Sequence, residues 1–177
     1  MRGSELERLL RAAVRDVPDF PKPGIIFKDI TPVLSDCALF AASVHAMASA
    51  FAEAAITHVV GIESRGFILG APIALELHAA FVPVRKVGKL PAVTEREEYA
   101  LEYGSAALEI HSDALGAGAH VLVVDDVLAT GGTARAACTL VERLSGVVIG
   151  CTFLIELGCL GGGTAITPRR WNALITY

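Results

Sequence analysis

Residues 121–133 constrain this chain more than any other stretch: Val121-Leu122-Val123-Val124-Asp125-Asp126-Val127-Leu128-Ala129-Thr130-Gly131-Gly132-Thr133. The opening residues are apolar and mostly β-branched, the composition of a strand buried on both faces. A strand is expected over 120–125. Two carboxylates follow at its end, and then a small, flexible turn runs into a helix expected over 132–144. A strand buried on both faces needs helices on both sides. The segment therefore argues for an α/β domain with a mainly parallel sheet. Ligands on such sheets sit beyond the carboxyl ends of the strands, so the residues directly after each strand are the candidates for function.

The rest of the chain agrees with that architecture. Residues 4–17 place Leu6, Leu9, Leu10, Ala13, Val14 and Val17 at helical spacing, and Ser4 with Glu7 makes a capping box. Pro18, Pro21, Pro23 and Gly24 then require a loop. A second helix is expected over 36–55, with Leu39, Phe40, Val44, Met47 and Phe51 on one face. Strand and helix then alternate: a strand at 58–62, a helix at 67–79 with Pro72 near its first turns, and a strand at 80–84. Residues 87–104 show no clean period, and a span of that length inside a compact domain is usually functional or mobile. Further strands are expected at 105–110, 147–157 and 171–177, and Gly158 with Gly161-Gly162-Gly163 reads as a flexible turn. The 177 residues suit one domain, with about 1–34 forming a small hood.

Composition removes several function classes. The formal net charge is −4, without the clustered excess of Lys and Arg that nucleic-acid binding needs. No apolar run reaches the ~20 residues of a membrane span, and the N-terminus lacks the apolar core of a signal peptide. The expected compartment is the cytoplasm. Cys37, Cys138, Cys151 and Cys159 make no C-x-x-C pair and read as reduced thiols, and the histidines are scattered singly. A metal site built from protein ligands is not expected.

The 129–133 turn has the composition of an anion cradle. Glycines let the backbone approach a phosphate, and successive N–H groups at a helix N-terminus point towards it. Thr130 and Thr133 add hydroxyl donors. Asp125 and Asp126 would repel a phosphate, but a carboxylate accepts hydrogen bonds from vicinal hydroxyls. A phosphorylated sugar satisfies both halves. The chain has neither the G-x-x-x-x-G-K-[ST] of a Walker site nor the G-x-G-x-x-G of a dinucleotide fold. Glu63-Ser64-Arg65-Gly66 follows a strand and opens a helix, which puts Arg65 where it can clamp a diphosphate. Ile62 stands where a serine-hydrolase elbow has its first glycine, so that reading is discarded. Arg85, Lys86 and Lys89 flank Gly88 and suit a mobile lid over an anionic substrate.

Residues 121–133 resemble the signature of the type I phosphoribosyltransferases. The resemblance extends over roughly 18–177 to the members that use adenine. It is carried by Pro18-Asp19-Phe20-Pro21-Lys22-Pro23-Gly24-Ile25-Ile26-Phe27-Lys28-Asp29-Ile30-Thr31-Pro32, by Glu63-Ser64-Arg65-Gly66-Phe67, by Arg85-Lys86-Val87-Gly88-Lys89-Leu90-Pro91, and by Tyr99-Ala100-Leu101-Glu102-Tyr103-Gly104. The resemblance implies an enzyme of purine salvage that joins adenine to 5-phosphoribosyl 1-diphosphate, giving AMP and diphosphate. The alternatives are an enzyme for 6-oxopurines and a non-catalytic sensor of the sugar diphosphate.

It also implies roles. Asp125 and Asp126 hold the ribose, while Ala129, Thr130, Gly131, Gly132 and Thr133 hold the 5′-phosphate. Ser64, Arg65, Arg85, Lys86 and Lys89 meet the diphosphate, and Ile26, Phe27 and Lys28 form the base pocket. Relatives commonly carry Arg where Lys28 stands. Glu95, Glu97, Glu98 and Glu102 lie close together, and spacing alone does not choose among them. The family motif selects Glu102 to accept or relay the purine proton, with Tyr103 beside it. Mg2+ is implied as a cofactor carried mainly by the substrate, with no protein ligand named. A homodimer is implied as well.

Overall fold

The computed structural model describes residues 3–100 and 105–177. Helix α1 (Gly3–Ala13) leads into strands β1 (Arg15–Pro18) and β2 (Ile26–Asp29), then helices α2 (Thr31–Ser35) and α3 (Cys37–Ser49). The central region follows: β3 (His58–Ile62), α4 (Arg65–Glu76), β4 (Ala80–Lys86), β5 (Thr94–Ala100) and β6 (Ser105–His111). The chain continues through β7 (His120–Leu128), α5 (Gly132–Arg143), β8 (Val147–Glu156), a 3-10 turn (Gly158–Leu160), α6 (Gly162–Ile166) and β9 (Trp171–Thr176).

One 7-stranded sheet runs in the order β5-β6-β4-β3-β7-β8-β9. Pairs β3/β4, β3/β7, β7/β8 and β8/β9 are parallel, while β5 and β6 add an antiparallel edge. The fold is thus the expected α/β class with a mostly parallel sheet. Side chains alternate across it. Leu122 and Val124 of β7 pack with Leu10, Met47 and Leu69 from α1, α3 and α4, whereas Val121 and Val123 pack with Cys138, Leu140 and Val141 of α5. Fully burying one such side chain contributes roughly 1.5–3 kcal/mol, so β7, apolar on both faces, anchors both layers. No helix among the described residues is long and apolar enough to cross a membrane.

Several expectations are corrected. The first helix ends at Ala13, and residues 15–18 pair with β2 as a separate two-stranded sheet. Val17 falls at helical spacing but lies opposite Phe27 in that ladder. Glu7 forms no capping box and instead accepts from Arg11 Nη2 at 2.9 Å. Helix α3 is shorter than the 36–55 span because successive i→i−3 bonds, Phe51 N to Ala48 O and Ala54 N to Phe51 O, tighten its end into turns. Asp36 caps it by accepting from Leu39 N at 2.9 Å. Helix α4 begins earlier than expected, at Arg65, which leaves Pro72 in its interior.

The irregular span 87–104 contains strand β5. Residues Thr94-Glu95-Arg96-Glu97-Glu98 are polar on both faces of the strand, so no apolar alternation reveals it. The ladder to β6 holds it, together with Arg143 of α5, which lies 2.5 Å from Glu97 and donates to Arg96 O at 2.6 Å. The glycines near 158–163 are not a flexible turn. Gly162 sits so close to the Ala129 carbonyl that a side chain there would collide with it, and Gly163 packs on Trp171 in the same way.

The hairpin of β1 and β2 is held by charge. Arg15 Nη2 donates to Asp29 Oδ2 at 2.7 Å, and Lys28 Nζ to Asp16 Oδ1 at 2.7 Å. Asp29 also accepts from Thr31 Oγ1 at 2.6 Å and Thr31 N at 2.9 Å. Those Thr31 bonds, with help from Arg15, outweigh burial and lower its pKa to about 2.

Candidate active site

A cavity of about 530 Å3 opens at the carboxyl ends of β3, β4 and β7, under the β1–β2 hairpin. Ile26, Phe27 and Lys28 form one wall from β2. Ser64 reaches it from the turn after β3, Arg65 from the start of α4, and Lys86 from the end of β4. Asp125 and Asp126 form its floor on β7, with Ala129 and Thr133 from the following turn. A smaller concavity of about 60 Å3 shares that turn and is lined by Thr130, Gly131 and Thr133.

The turn is shaped for an anion. Gly131 is the N-cap of α5 with φ 81, a conformation that favours glycine, and no side chain caps the helix. Gly132 opens the helix proper. The first-turn N–H groups of an α-helix have no partner within it, so an uncapped N-terminus at a cavity presents donors to an anion. Gly131 is also pinned from behind, since a Cβ there would come within 2.7 Å of the Gly162 carbonyl.

The carboxylates lie inside the strand rather than after it, because β7 continues to Leu128. Asp126 is only 4% exposed. Arg65 Nε lies 2.5 Å from its Oδ2, and the same guanidinium stands 5.0 Å from the Phe27 ring centroid. Asp125 keeps some exposure to the cavity but is enclosed by protein, and its Oδ1 accepts from Asp126 N at 2.9 Å. Burial, followed by the neighbouring Asp126 charge, pushes its pKa well above the ordinary range.

Two of the basic residues are placed differently from the rest. Arg85 does not line the cavity. Its Nε and Nη2 contact the Glu63 carboxylate at 3.2 and 3.3 Å, and its Nη1 donates to Lys89 O at 3.0 Å. Burial works against the Glu63 charge, but donation from Arg85 and from Lys86 N outweighs it and lowers the Glu63 pKa. Lys89 is exposed on the loop, which Glu109 steadies by accepting from Gly88 N at 3.0 Å. Glu102 and Tyr103 lie outside the described residues.

Sequence reasoning missed Tyr99 and Leu157, both of which line the cavity. Leu157 directly follows β8, so the rule that ligand-facing residues follow strand ends would have found it. Tyr99 lies in the polar strand β5, where no pattern marks it.

A carboxylate pair, Asp126 buried and Asp125 half-buried, and an uncapped glycine turn stand together at the carboxyl edge of the mostly parallel sheet of an α/β protein. Residues 27–162 match the phosphoribosyl transferase domain. The adenine phosphoribosyltransferase of Methylococcus capsulatus is 55% identical over 168 residues, covering 95% of this chain and 98% of that relative. The crystal structure of adenine phosphoribosyltransferase from Rhodothermus marinus superposes with a TM-score of 0.95 at 51% identity, covering 98% of this chain and 99% of that one. The Saccharomyces cerevisiae enzyme, solved with an imino-altritol bisphosphate and adenine, gives a TM-score of 0.91 at 39% identity over 97% of this chain and 99% of that one. The chain belongs to the phosphoribosyltransferase family, among the adenine phosphoribosyltransferases.

The Asp125 environment yields a pH prediction. Its folded pKa is raised, so the penalty is absent below the unfolded value of about 3.9 and grows as pH rises towards the folded value. Asp125→Asn removes the charge. The variant is expected to melt above the parent at about pH 7, with the two curves converging near pH 4, as measured by calorimetric scans across pH.

Proposed function

We propose that the protein transfers the 5-phosphoribosyl group of phosphoribosyl diphosphate to a ring nitrogen of adenine, forming AMP and releasing diphosphate. The observation that carries this reading is the Asp125–Asp126 pair on the same cavity wall as the uncapped α5 turn, with the aromatic ring of Phe27 also lining the cavity. The carboxylates accept from the ribose hydroxyls, and the 129–133 turn donates to the 5′-phosphate. Arg65 exchanges its ion pair with Asp126 for the diphosphate, and Lys86 faces the same region. Arg85 and Lys89 serve the diphosphate from the basic loop once Arg85 leaves Glu63. Ile26, Phe27 and Lys28 hold the flat base, with Leu157 and Tyr99 completing the slot.

The reaction breaks the C1–O bond to diphosphate and forms the C1–N bond to the base. The purine ring N–H proton passes to Glu102, acting as general base or relay. The cavity-facing donors, Asp125, Asp126, Ser64 and Thr133, are hard oxygen ligands of the kind Mg2+ takes. Mg2+ held mainly by the diphosphate would neutralise the leaving group's charge.

We read the compartment as the cytoplasm. Free thiols at Cys37 and Cys159, and at Cys138 and Cys151, whose sulfurs share a 3.6 Å hydrogen bond and no disulfide, suit a reducing environment. We read the assembly as a homodimer, in which a second copy would cover apolar side chains such as Ile68 and Leu75, exposed on one face of α4.

The test offers adenine, hypoxanthine, guanine and xanthine separately with Mg2+ and phosphoribosyl diphosphate, with nucleotide formation followed by chromatography. AMP from adenine alone is expected. Product from an oxopurine would overturn the base assignment, and no product from any base would leave a sensor of the sugar diphosphate. Glu102→Ala is expected to lower kcat by about 10²–10⁴ while titration calorimetry shows unchanged phosphoribosyl diphosphate affinity. Unchanged turnover would remove Glu102 from the chemistry.

A further inference from the structure

Lys28 stands in the base wall, yet its charge is directed away from the cavity. Its Nζ lies 2.7 Å from Asp16 Oδ1 and 3.8 Å from the centroid of the Tyr177 ring, and its side chain is only 14% exposed. Asp16 and Lys28 are register partners in the β1–β2 ladder, so the ammonium is held between its own hairpin and Tyr177. Arg11 of α1 stands over the same ring at 5.2 Å and donates to Thr176 O at 2.7 Å. The ring is thus flanked by two cations, and a cation over an aromatic face is attracted most strongly where water is partly excluded.

The main chain of Tyr177 is tied to the opposite wall. Its N–H donates to Glu156 O at 2.9 Å, and its carbonyl accepts from Gly158 N at 2.9 Å. These two bonds bracket Leu157, whose own N–H donates to Leu128 O at 2.9 Å. Leu157 and the segment Ile26–Lys28 line the same cavity but come from distant parts of the chain. Tyr177 touches both, through its ring on one side and its backbone on the other.

We propose that Tyr177 is a positioning residue for the purine slot. Its ring holds Lys28 and the hairpin, its backbone holds the loop that presents Leu157, and together they fix the gap into which the flat base enters. This rests on the base reading of Ile26–Lys28 given above. Shared effort between Asp16 and the ring explains why a lysine serves at position 28. A compact ammonium can sit on the ring face and reach one carboxylate oxygen at once, and that contact needs no bidentate fork. The backbone of the base wall is then set by a contact made outside the cavity. Lys28 influences base binding through strand position, with its charged end away from the base.

Steady-state kinetics with adenine and phosphoribosyl diphosphate varied separately test this. Tyr177→Leu keeps the backbone bonds and removes the ring. It is expected to raise the KM for adenine about fivefold or more while the KM for phosphoribosyl diphosphate and kcat stay within about twofold. Tyr177→Phe retains the ring and is expected to behave as the parent. Lys28→Met reaches the same contact from its other end and leaves residue 177 intact, so it serves if Tyr177→Leu does not fold. It is expected to raise the adenine KM alike, and the double variant should be no worse than either single one. An unchanged adenine KM in Tyr177→Leu or Lys28→Met would overturn the proposal, as would both KM values rising together. Either result with a parent enzyme that still makes AMP from adenine sinks only the positioning role, whereas a parent that makes no AMP sinks the base reading beneath it.

Discussion

Asp125 and Asp126 place two carboxylates side by side at the edge of a buried strand, and the site is arranged around the cost of keeping them there. Like charges in a partly desolvated place repel, and burial alone raises the Asp125 pKa. Arg65, 2.5 Å from Asp126, offsets part of that cost. Such a pair is a poor choice for stability. It is a good one for function, because ribose hydroxyls can donate to both carboxylates and a substrate that brings Mg2+ supplies compensating charge.

The sheet order makes this arrangement possible. Strand β7 lies between β3 and β8, so the turns after all three converge on one edge. Helix α4 begins at Arg65 directly after the β3 turn, and α5 begins at Gly132 directly after the β7 turn. Two helix starts thereby face one cavity from neighbouring strands, which brings N–H donors and a guanidinium to the same anionic region. The short helix α6 braces the 129–133 turn, with Gly162 against the Ala129 carbonyl and Gly131 against Gly162. The β1–β2 hairpin covers the cavity and brings Phe27, and Tyr177 links that hairpin to the far wall.

What could be read from the sequence was what is encoded locally. Strand β7, the acid pair, the glycine turn and helix α5 follow one another directly, so their chemistry survives in the order of residues. Ser64 and Arg65 reach the cavity because they come directly after β3, and Lys86 because it ends β4. What escaped depends on tertiary contact. Strand β5 shows no apolar alternation and is held by its β6 ladder and by Arg143. The 158–163 glycines read in the sequence as a flexible turn, but the Ala129 carbonyl presses on Gly162 and Trp171 on Gly163. Arg85 reads in the sequence as part of a basic lid, but its guanidinium contacts Glu63 outside the cavity lining. The Lys28–Tyr177 contact joins opposite ends of the chain and leaves no local trace.

A crystal structure of the protein with AMP and magnesium diphosphate tests the central claim most directly. The account predicts the AMP phosphate within about 2.7–3.2 Å of the 130–133 backbone N–H groups and the ribose hydroxyls on Asp125 and Asp126. It also predicts adenine between Phe27 and Leu157, with Arg65 moved from Asp126 to the diphosphate. The AMP phosphate seated on the 85–89 loop, or a ribose turned away from the two carboxylates, would contradict it.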